Sequence, residues 1–294
     1  MNSILGINIL ILADKCITMK KNSIFFILLV GLCFKTFAQQ KAGMENSIVY
    51  KKVDTTILKM EVLYPPSMEK DKKYPSIVFF YGGGWIGGNI NQFRIFANHF
   101  VKEGMVCFLA DYRTESKQGT TPFESLKDAK SAIRFIRENA DRFHIYKDSL
   151  IGSGGSAGGQ LAAAAALVDG YNEVTDDQSV SCIPNALILF NPVIDNGPGG
   201  YGYERIGQQY KNFSPLHNIH KGAPPTIIFL GTRDHLIPVA TMQYYQTVTK
   251  KVGSRCDLIL YEGVDHGFFN KKDFVDKTLI EADKFLISLG ILRE

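Results

Sequence analysis

The sequence predicts an α/β fold in which helices flank one doubly wound, mostly parallel sheet within a single domain. Short, continuous apolar runs alternate with segments of helical periodicity, which is typical of parallel strands covered on both faces. The 294 residues and their 45% hydrophobic content suffice for one sizeable core. An earlier stretch, Ile48 to Tyr64, contains Leu58, Met60, Val62 and Tyr64 at every second position and predicts a half-buried antiparallel strand at the start of the sheet.

The apolar runs predict the parallel strands, and amphipathic segments predict the helices between them. Strands are expected at Ser76 to Phe80, Met105 to Ala110, Ser149 to Ile151, Ala186 to Phe190, Thr226 to Leu230 and Asp257 to Tyr261. Helices are expected at Asn91 to Glu103, after Pro122, and at Gln160 to Val168, Val239 to Val252 and Phe274 to Leu289. A glycine- and tyrosine-rich insertion, Asp195 to Lys221, should lie over the carboxyl edge of the sheet.

Residues 1–38 have the layout of a secretory signal peptide. Met19-Lys20-Lys21 is a basic start, Ile24 to Phe34 is an apolar run, and Ala38 is a small residue before a polar segment. A membrane span needs about 20 apolar residues, whereas Lys35 interrupts this run, so stable membrane insertion is not expected. We predict a secreted or periplasmic protein, with Met19 as an alternative start because the residues before it do not fit a signal peptide.

Charge and cysteine content narrow the function of the remaining domain, residues 45–294. Most of the net charge of +4 lies in the signal-peptide region, so the domain is nearly neutral and no nucleic acid partner is expected. Cys107, Cys182 and Cys256 lack the spacing of metal ligands or of a disulfide framework, although two of them could pair. We expect no metal and no organic cofactor.

Residues Gly154 to Gly158 fit the G-x-S-x-G nucleophile elbow, in which a serine occupies a strained turn between a strand and a helix. Small residues two positions before and after Ser156 leave room for the strand and helix to cross. The backbone N–H of Ala157, at the helix N-terminus, could stabilise a developing oxyanion. Ser156 is therefore the candidate nucleophile.

A serine hydroxyl needs a base near neutral pH, and an imidazole oriented by a carboxylate supplies one. Asp234 and His266 each follow a predicted strand, and both come after Ser156 in the chain. Asp195 also follows a strand and remains an alternative acid, and His235 is an alternative base. Asp265, next to His266, is expected at the surface.

Several motifs resemble the α/β-hydrolase superfamily, in particular bacterial esterases with an H-G-G-G oxyanion motif, similar to hormone-sensitive lipase and to acetyl, acetylxylan and feruloyl esterases. The motifs are Tyr81 to Trp85, Asp111-Tyr112-Arg113, Pro122 to Asp128, Gly154 to Gly159, Asp234 and His266-Gly267-Phe268. The resemblance implies an α/β-hydrolase fold, a triad of Ser156, Asp234 and His266, and an oxyanion hole formed by Gly83, Gly84 and Ala157. Tyr81 stands where the family usually has histidine. The resemblance implies that the side chain at this position braces the glycine loop and does not react.

This resemblance implies a serine esterase that takes a small-molecule or glycan ester. We expect it to remove acetyl or other small acyl groups from carbohydrate, with Trp85, Tyr201 and Tyr203 as candidate substrate contacts. Tyrosine rings with polar tips suit a sugar better than a long acyl chain. A general short-chain carboxylesterase, a prolyl-oligopeptidase-like peptidase and a non-catalytic binding module remain alternatives.

Overall fold

Within residues 47–69 and 71–293, which the computed structural model describes, eight strands form one sheet in the order β1-β2-β4-β3-β5-β6-β7-β8. The strands are β1 (Ser47–Val53), β2 (Thr56–Leu63), β3 (Tyr74–Phe80), β4 (Val106–Ala110), β5 (Ile145–Gly155), β6 (Ala186–Phe190), β7 (Thr226–Gly231) and β8 (Cys256–Tyr261). From β4 to β8 the neighbouring strands are parallel, which confirms the predicted fold class. The predicted signal peptide lies outside the described residues.

The antiparallel start of the sheet differs from the prediction, because it is a hairpin rather than one strand. β1 pairs with β2, and β2 in turn pairs antiparallel with β4. The chain reverses between Val53 and Thr56, where Asp54 adopts a φ of 49°. Asp tolerates this left-handed conformation in tight hairpin turns.

Seven helices lie between and after the strands in the described part of the chain. They are α1 (Arg94–Lys102), α2 (Glu115–Gln118), α3 (Pro122–Glu138), α4 (Ala157–Leu167), α5 (Tyr203–Ile206), α6 (Val239–Lys251) and α7 (Lys272–Ser288). Helix α3 begins with a capping box, since Thr121 accepts from Phe123 N–H and Glu124 accepts from Thr121 N–H. The short helices α2 and α5 were not predicted, because four residues show no helical period.

The sheet separates two apolar layers. Helices α3 and α4 cover one face, where every residue of the Ala-rich α4 is buried. Helices α1 and α7 cover the other face through phenylalanine rings, among them Phe96, Phe100 and Phe285. The long central strand β5 is therefore held from both sides, and its carboxyl end is a rigid support.

The sheet register brings the carboxyl ends of four strands side by side. Gly155 of β5 pairs with Phe190 of β6, which pairs with Phe229 of β7, and Gly231 of β7 pairs with Tyr261 of β8. The residues that follow these strands therefore meet at one edge. Ser156, Asn191, Asp234 and His266 all lie there.

Three further expectations concern cysteines, metals and membrane spans. Cys107, Cys182 and Cys256 are all buried and free, so none of them pairs in the described structure. The described residues contain no cluster of side chains suited to a metal ion. Among the same residues, no helix has the length and apolarity needed to cross a bilayer.

Candidate active site

Ser156 occupies a sharp corner between β5 and α4, with a φ of 53° and a ψ of −119°. The neighbouring chains pass so close that only glycine fits around it. A Cβ on Gly158 would lie 2.1 Å from the Phe80 carbonyl oxygen, and one on Gly154 would lie 2.5 Å from the backbone of Gly158. This crowding holds the strained serine in place at the N-terminus of α4.

Ser156, His266 and Asp234 form a continuous chain of hydrogen bonds. The His266 Nε2 lies 2.9 Å from Ser156 Oγ, and its Nδ1 lies 2.8 Å from Asp234 Oδ2. The side chain of Asp234 is fully buried, whereas that of His266 is 14% exposed. If Nδ1–H donates to the carboxylate, Nε2 presents its lone pair to the serine hydroxyl.

The loop that follows β7 fixes the second oxygen of Asp234. Oδ1 accepts hydrogen bonds from the backbone N–H groups of Leu236 and Ile237, at 3.0 and 2.9 Å. Both carboxylate oxygens are thus engaged, and the acid has one orientation. These hydrogen bonds hold the carboxylate in the orientation that directs Oδ2 to the imidazole.

The glycine loop after β3 lies directly over the serine. A Cβ on Gly82 would be 3.3 Å from the Cβ of Ser156, and Gly83 and Gly84 have φ values of 130° and 63°. The N–H groups of Gly83, Gly84 and Ala157 donate to no other group in the described part of the protein. They are therefore free to receive a negatively charged oxygen beside Ser156.

Tyr81 and Tyr112 brace this loop from below. The Tyr81 hydroxyl donates to Asp111 Oδ1 at 2.6 Å, and the Tyr112 hydroxyl donates to the Tyr81 carbonyl oxygen at 2.7 Å. Their rings stack with centroids 4.3 Å apart. Burial is the main cause that raises the pKa of Tyr81, so its hydroxyl remains a neutral donor.

A buried ion network extends this support toward the sheet edge. Asp128 accepts from Lys51 at 2.6 Å and from two nitrogens of the Arg113 side chain at 2.8 Å each. The Arg113 backbone N–H donates to the same carboxylate. Arg113 follows the tyrosine that braces the glycine loop, so the network anchors this segment, and no reacting group takes part in it.

The insertion packs against the glycine loop through Tyr201 and Arg205. The Arg205 guanidinium donates to the Gly84 carbonyl oxygen and lies 5.2 Å from the Trp85 ring centroid. The Tyr201 hydroxyl would be 2.7 Å from a Cβ on Gly84. Tyr203 packs within the insertion instead, where its hydroxyl accepts from Gln208.

Trp85 was a candidate substrate contact, but the structure places its side chain in the interior. Its side chain is only 1% exposed, and its indole N–H donates to Gln160 of α4 at 3.3 Å. Arg205 and Tyr201 lie over its ring. Trp85 therefore connects the glycine loop to α4 and to the insertion, and has almost no surface left for a ligand.

The alternative acid and base lie apart from the serine. Asp195 receives the Gly197 N–H and lies 4.0 Å from His217, within the insertion. His235 pairs with Asp265 at 2.6 Å, and both side chains are largely exposed. Neither Asp195 nor His235 shares a hydrogen bond with Ser156 or His266 in the described structure.

Sequence reasoning missed Asn191, which is fully buried beside His266. Its Nδ2 lies 3.4 Å from His266 Nε2, and its Oδ1 accepts from Gly267 N–H at 3.0 Å. Its φ of 35° is rare outside glycine and is most often tolerated by asparagine. The only signal in the sequence is its position directly after a buried strand.

Comparison with known proteins agrees with this architecture. The family model BD-FAE matches residues 60–197, and that of the dienelactone hydrolase family matches residues 196–284. Esterase 2 of Thermogutta terrifontis, solved in its apo form, is 40% identical and superposes with a TM-score of 0.81. That match covers 86% of this chain and 97% of the esterase.

Curated relatives match over a smaller share of their length. The acetylxylan esterase of Xylanibacter ruminicola is 29% identical over 210 residues, covering 66% of this chain and 41% of that protein. Esterase LipC of Mycobacterium tuberculosis is 25% identical over 224 residues, covering 67% of this chain and 54% of that protein. The chain spans about half the length of these relatives. Because the 40% identity extends over nearly all of a solved esterase, and the sheet has the expected order, the chain belongs to the serine esterases of the α/β-hydrolase superfamily.

Proposed function

We propose that the protein hydrolyses carboxylic esters through an acyl-enzyme intermediate on Ser156, and that its natural substrates carry acetyl or similarly small acyl groups on carbohydrate. The observation that carries the proposal is the unbroken hydrogen-bonded chain from Ser156 through His266 to the buried Asp234.

In the first half of the reaction, Ser156 Oγ attacks the ester carbonyl carbon while His266 Nε2 takes the hydroxyl proton. The tetrahedral intermediate then collapses, the bond to the alcohol breaks, and the imidazolium returns its proton to the leaving alkoxide. In the second half, water loses a proton to His266 and attacks the acyl-enzyme. The acid is released and Ser156 regains its proton.

The N–H groups of Gly83, Gly84 and Ala157 are proposed to hold the oxygen on which negative charge develops. The glycine loop is fixed before the reaction by the bracing of Tyr81 and by Arg205 on the Gly84 carbonyl, and Ala157 is fixed as the first residue of α4. Fixed donors require no reorganisation as the charge forms, and each is worth on the order of 10² to 10³ in kcat in comparable sites.

Three observations support a small acyl group and a polar alcohol. The solved relative from Thermogutta terrifontis has been captured with propionate bound and with butyrate bound. Tyr201 and Arg205 of the insertion add polar groups beside Gly84, next to the proposed oxyanion site. The acetylxylan esterase relative supports carbohydrate as the alcohol.

We further propose that the protein acts outside the cytoplasm, where acetylated glycans occur. The support is the basic-then-apolar layout of residues 19–38 in the sequence. Intact-mass measurement of the protein from its native host should show a chain that begins near Gln39. A full-length cytosolic chain would contradict this proposal.

The decisive experiment for the reaction compares Ser156→Ala with Ser153→Ala. Ser153 lies three residues earlier on β5, is fully buried, and donates to the Ile188 carbonyl oxygen, so its loss perturbs packing without touching the triad. We expect Ser156→Ala to lower kcat on nitrophenyl acetate by about 10⁴-fold or more, with Ser153→Ala retaining most of it. More than a few per cent of activity in purified, folded Ser156→Ala would refute the proposed nucleophile.

A substrate panel separates the alternatives. Turnover of nitrophenyl acetate, nitrophenyl octanoate, an acetylated xylo-oligosaccharide and a prolyl-peptide nitroanilide is compared for the wild-type protein. We expect acetyl release from the oligosaccharide and little peptide cleavage. Preference for octanoate, or peptide cleavage faster than ester cleavage, would contradict the proposed substrate class.

Tyr203→Ala tests the role of the insertion, with Tyr244→Ala as the matched control. Tyr244 is 60% exposed on α6, outside the insertion. We expect Tyr203→Ala to lower kcat/KM on the oligosaccharide several-fold and to leave kcat/KM on nitrophenyl acetate unchanged, because the small ester does not extend as far as Tyr203. Equal losses on both substrates would argue against a sugar contact at Tyr203.

A further inference from the structure

Asn191 directly follows β6 and continues its pairing with β7. Its backbone N–H donates to the Phe229 carbonyl oxygen at 2.7 Å, and its side chain is fully buried. The φ of 35° turns the chain sharply at this point. A buried, strained asparagine among apolar strands is a costly arrangement, and such residues concentrate at functional sites.

The chain on both sides of Asn191 is bonded to the backbone of the nucleophile. Ser156 N–H donates to the Phe190 carbonyl oxygen at 2.9 Å, and Val193 N–H donates to the Ser156 carbonyl oxygen at 3.1 Å. The backbone position of Asn191 is therefore tied to that of Ser156.

The side chain of Asn191 points the other way, to the loop that carries His266. Oδ1 accepts the Gly267 N–H at 3.0 Å, and Nδ2 lies 3.4 Å from His266 Nε2. The 3.4 Å contact is long for a hydrogen bond, so it does not displace the serine hydroxyl, which lies 2.9 Å from the same nitrogen. The amide thus confines the imidazole on the side opposite Asp234.

We propose that Asn191 is a positioning residue that couples the nucleophile elbow to the histidine loop and keeps His266 Nε2 aligned on Ser156 Oγ. This inference rests on the proposed function of the triad. The carboxamide would have two roles. Its Oδ1 fixes the backbone next to His266, and its Nδ2 places an uncharged N–H donor near Nε2 of the imidazole.

The neutrality of the amide matters because charged groups surround the imidazole. Asp234 faces Nδ1, Asp265 accepts the His266 backbone N–H, and the His235 ring lies 6.5 Å away. A carboxylate in place of Asn191 would face Nε2 itself. It would hold the proton that Nε2 must return to the leaving alcohol, and would stabilise the inactive imidazolium.

Two substitutions of Asn191 separate these two roles. Asn191→Asp retains an oxygen for Gly267 N–H and tolerates the positive φ, but places a charge beside Nε2. Asn191→Gly removes the whole side chain and accepts this backbone without strain. Asn185→Asp is the matched control, since Asn185 precedes the opposite end of β6 and accepts from Leu150 N–H and Arg137.

For Asn191→Gly, we expect kcat on nitrophenyl acetate to fall about 10- to 100-fold with little change in KM, because a small misalignment of the base slows proton transfer. For Asn191→Asp, the acid limb of the kcat/KM profile should move to higher pH by about 1 to 2 units. Asn185→Asp should match wild type in both.

The result that overturns the inference is a folded Asn191→Gly protein with more than half of wild-type kcat, or an Asn191→Asp profile identical to wild type. Circular dichroism and thermal melting establish that each variant is folded. Ser156→Ala is measured alongside: activity in that variant would refute the proposed nucleophile, whereas an inactive Ser156→Ala with unaffected Asn191 variants would refute this inference alone.

Discussion

Two histidine–aspartate pairs lie side by side between the loops that follow β7 and β8, and they differ in burial. In one pair, His266 lies 2.8 Å from Asp234, and the two side chains are 14% and 0% exposed. In the other, His235 lies 2.6 Å from Asp265, with exposures of 65% and 57%. Each loop contributes one member to each pair, so the two pairs are similar in sequence and in distance.

The contrast shows that surroundings, and not the distance within a pair, select the reactive one. Adjacent residues of a loop point in different directions, so only His266 reaches Ser156, at 2.9 Å. The buried pair is shielded from water, and a hydrogen bond between two side chains is stronger in such a low-dielectric environment. The exposed pair instead ties the loops together, because Asp265 also accepts from the backbone N–H groups of His266 and His235.

The largest effect is expected when the buried pair is broken by Asp234→Asn. The amide would donate to Nδ1 and leave the proton on Nε2, which then cannot accept from Ser156. We expect kcat to fall about 10⁴-fold in steady-state assays while the fold is retained. Asp195→Asn is the control and should change kcat less than about twofold, as for a residue away from the reaction. The reverse ranking would move the acid to the insertion.

A smaller effect is expected for Asp265→Asn, which weakens the exposed pair without touching the reacting groups. We expect kcat to fall about 2- to 10-fold at constant KM, because the backbone of His266 loses an ionised acceptor and the imidazole is held less firmly. Asp257→Asn serves as the control. It breaks the ion pair between Asp257 of β8 and Arg255, which directly precedes that strand. A loss comparable to that of Asp234→Asn would show that both pairs take part in the reaction.

The smallest expected effect is the contribution of the exposed His235–Asp265 pair to the pH dependence of folding stability. The hydrogen bond to Asp265 raises the pKa of His235, and the one from His235 lowers the pKa of Asp265 to about 2. The pair therefore stabilises the fold fully only between the ordinary pKa values of Asp and His, about 3.9 and 6.5. The contribution of Asp265 is lost as the pH falls below this range, and that of His235 is lost as the pH rises through its raised pKa.

His235→Gln tests this linkage by thermal melting. We expect a Tm about 1 to 2 °C below wild type near pH 5.5, and no difference near pH 9. A difference of the same size at both pH values would show that packing, not charge, accounts for the effect. Activity near pH 7.5 should stay within about twofold of wild type, since an exposed pair contributes little.

Local chemistry in the sequence determined the architecture and pointed to the reactive residues. The continuous apolar runs predicted the parallel strands because a strand buried on both faces consists mainly of apolar residues. The hairpin of β1 and β2 was not predicted because its turn, Asp54-Thr55, contains no glycine or asparagine to mark it in the sequence. The G-x-S-x-G segment indicated Ser156 because only glycine fits the crossing at Gly154 and Gly158.

Only the tertiary structure decided which groups meet. Asp195, Asp234 and Asp265 all follow strands, and of these three the sheet register and loop directions bring only Asp234 to the imidazole ring of His266. Trp85 looked available to a ligand, but Arg205 and Tyr201 from a distant insertion cover it. No sequence motif marks Asn191, and its position beside His266 results from the pairing of β6 with β5 and β7. Sequence patterns reflect interactions between residues that are close along the chain. Contacts between residues 75 or 110 positions apart depend instead on how all the strands of the sheet pair.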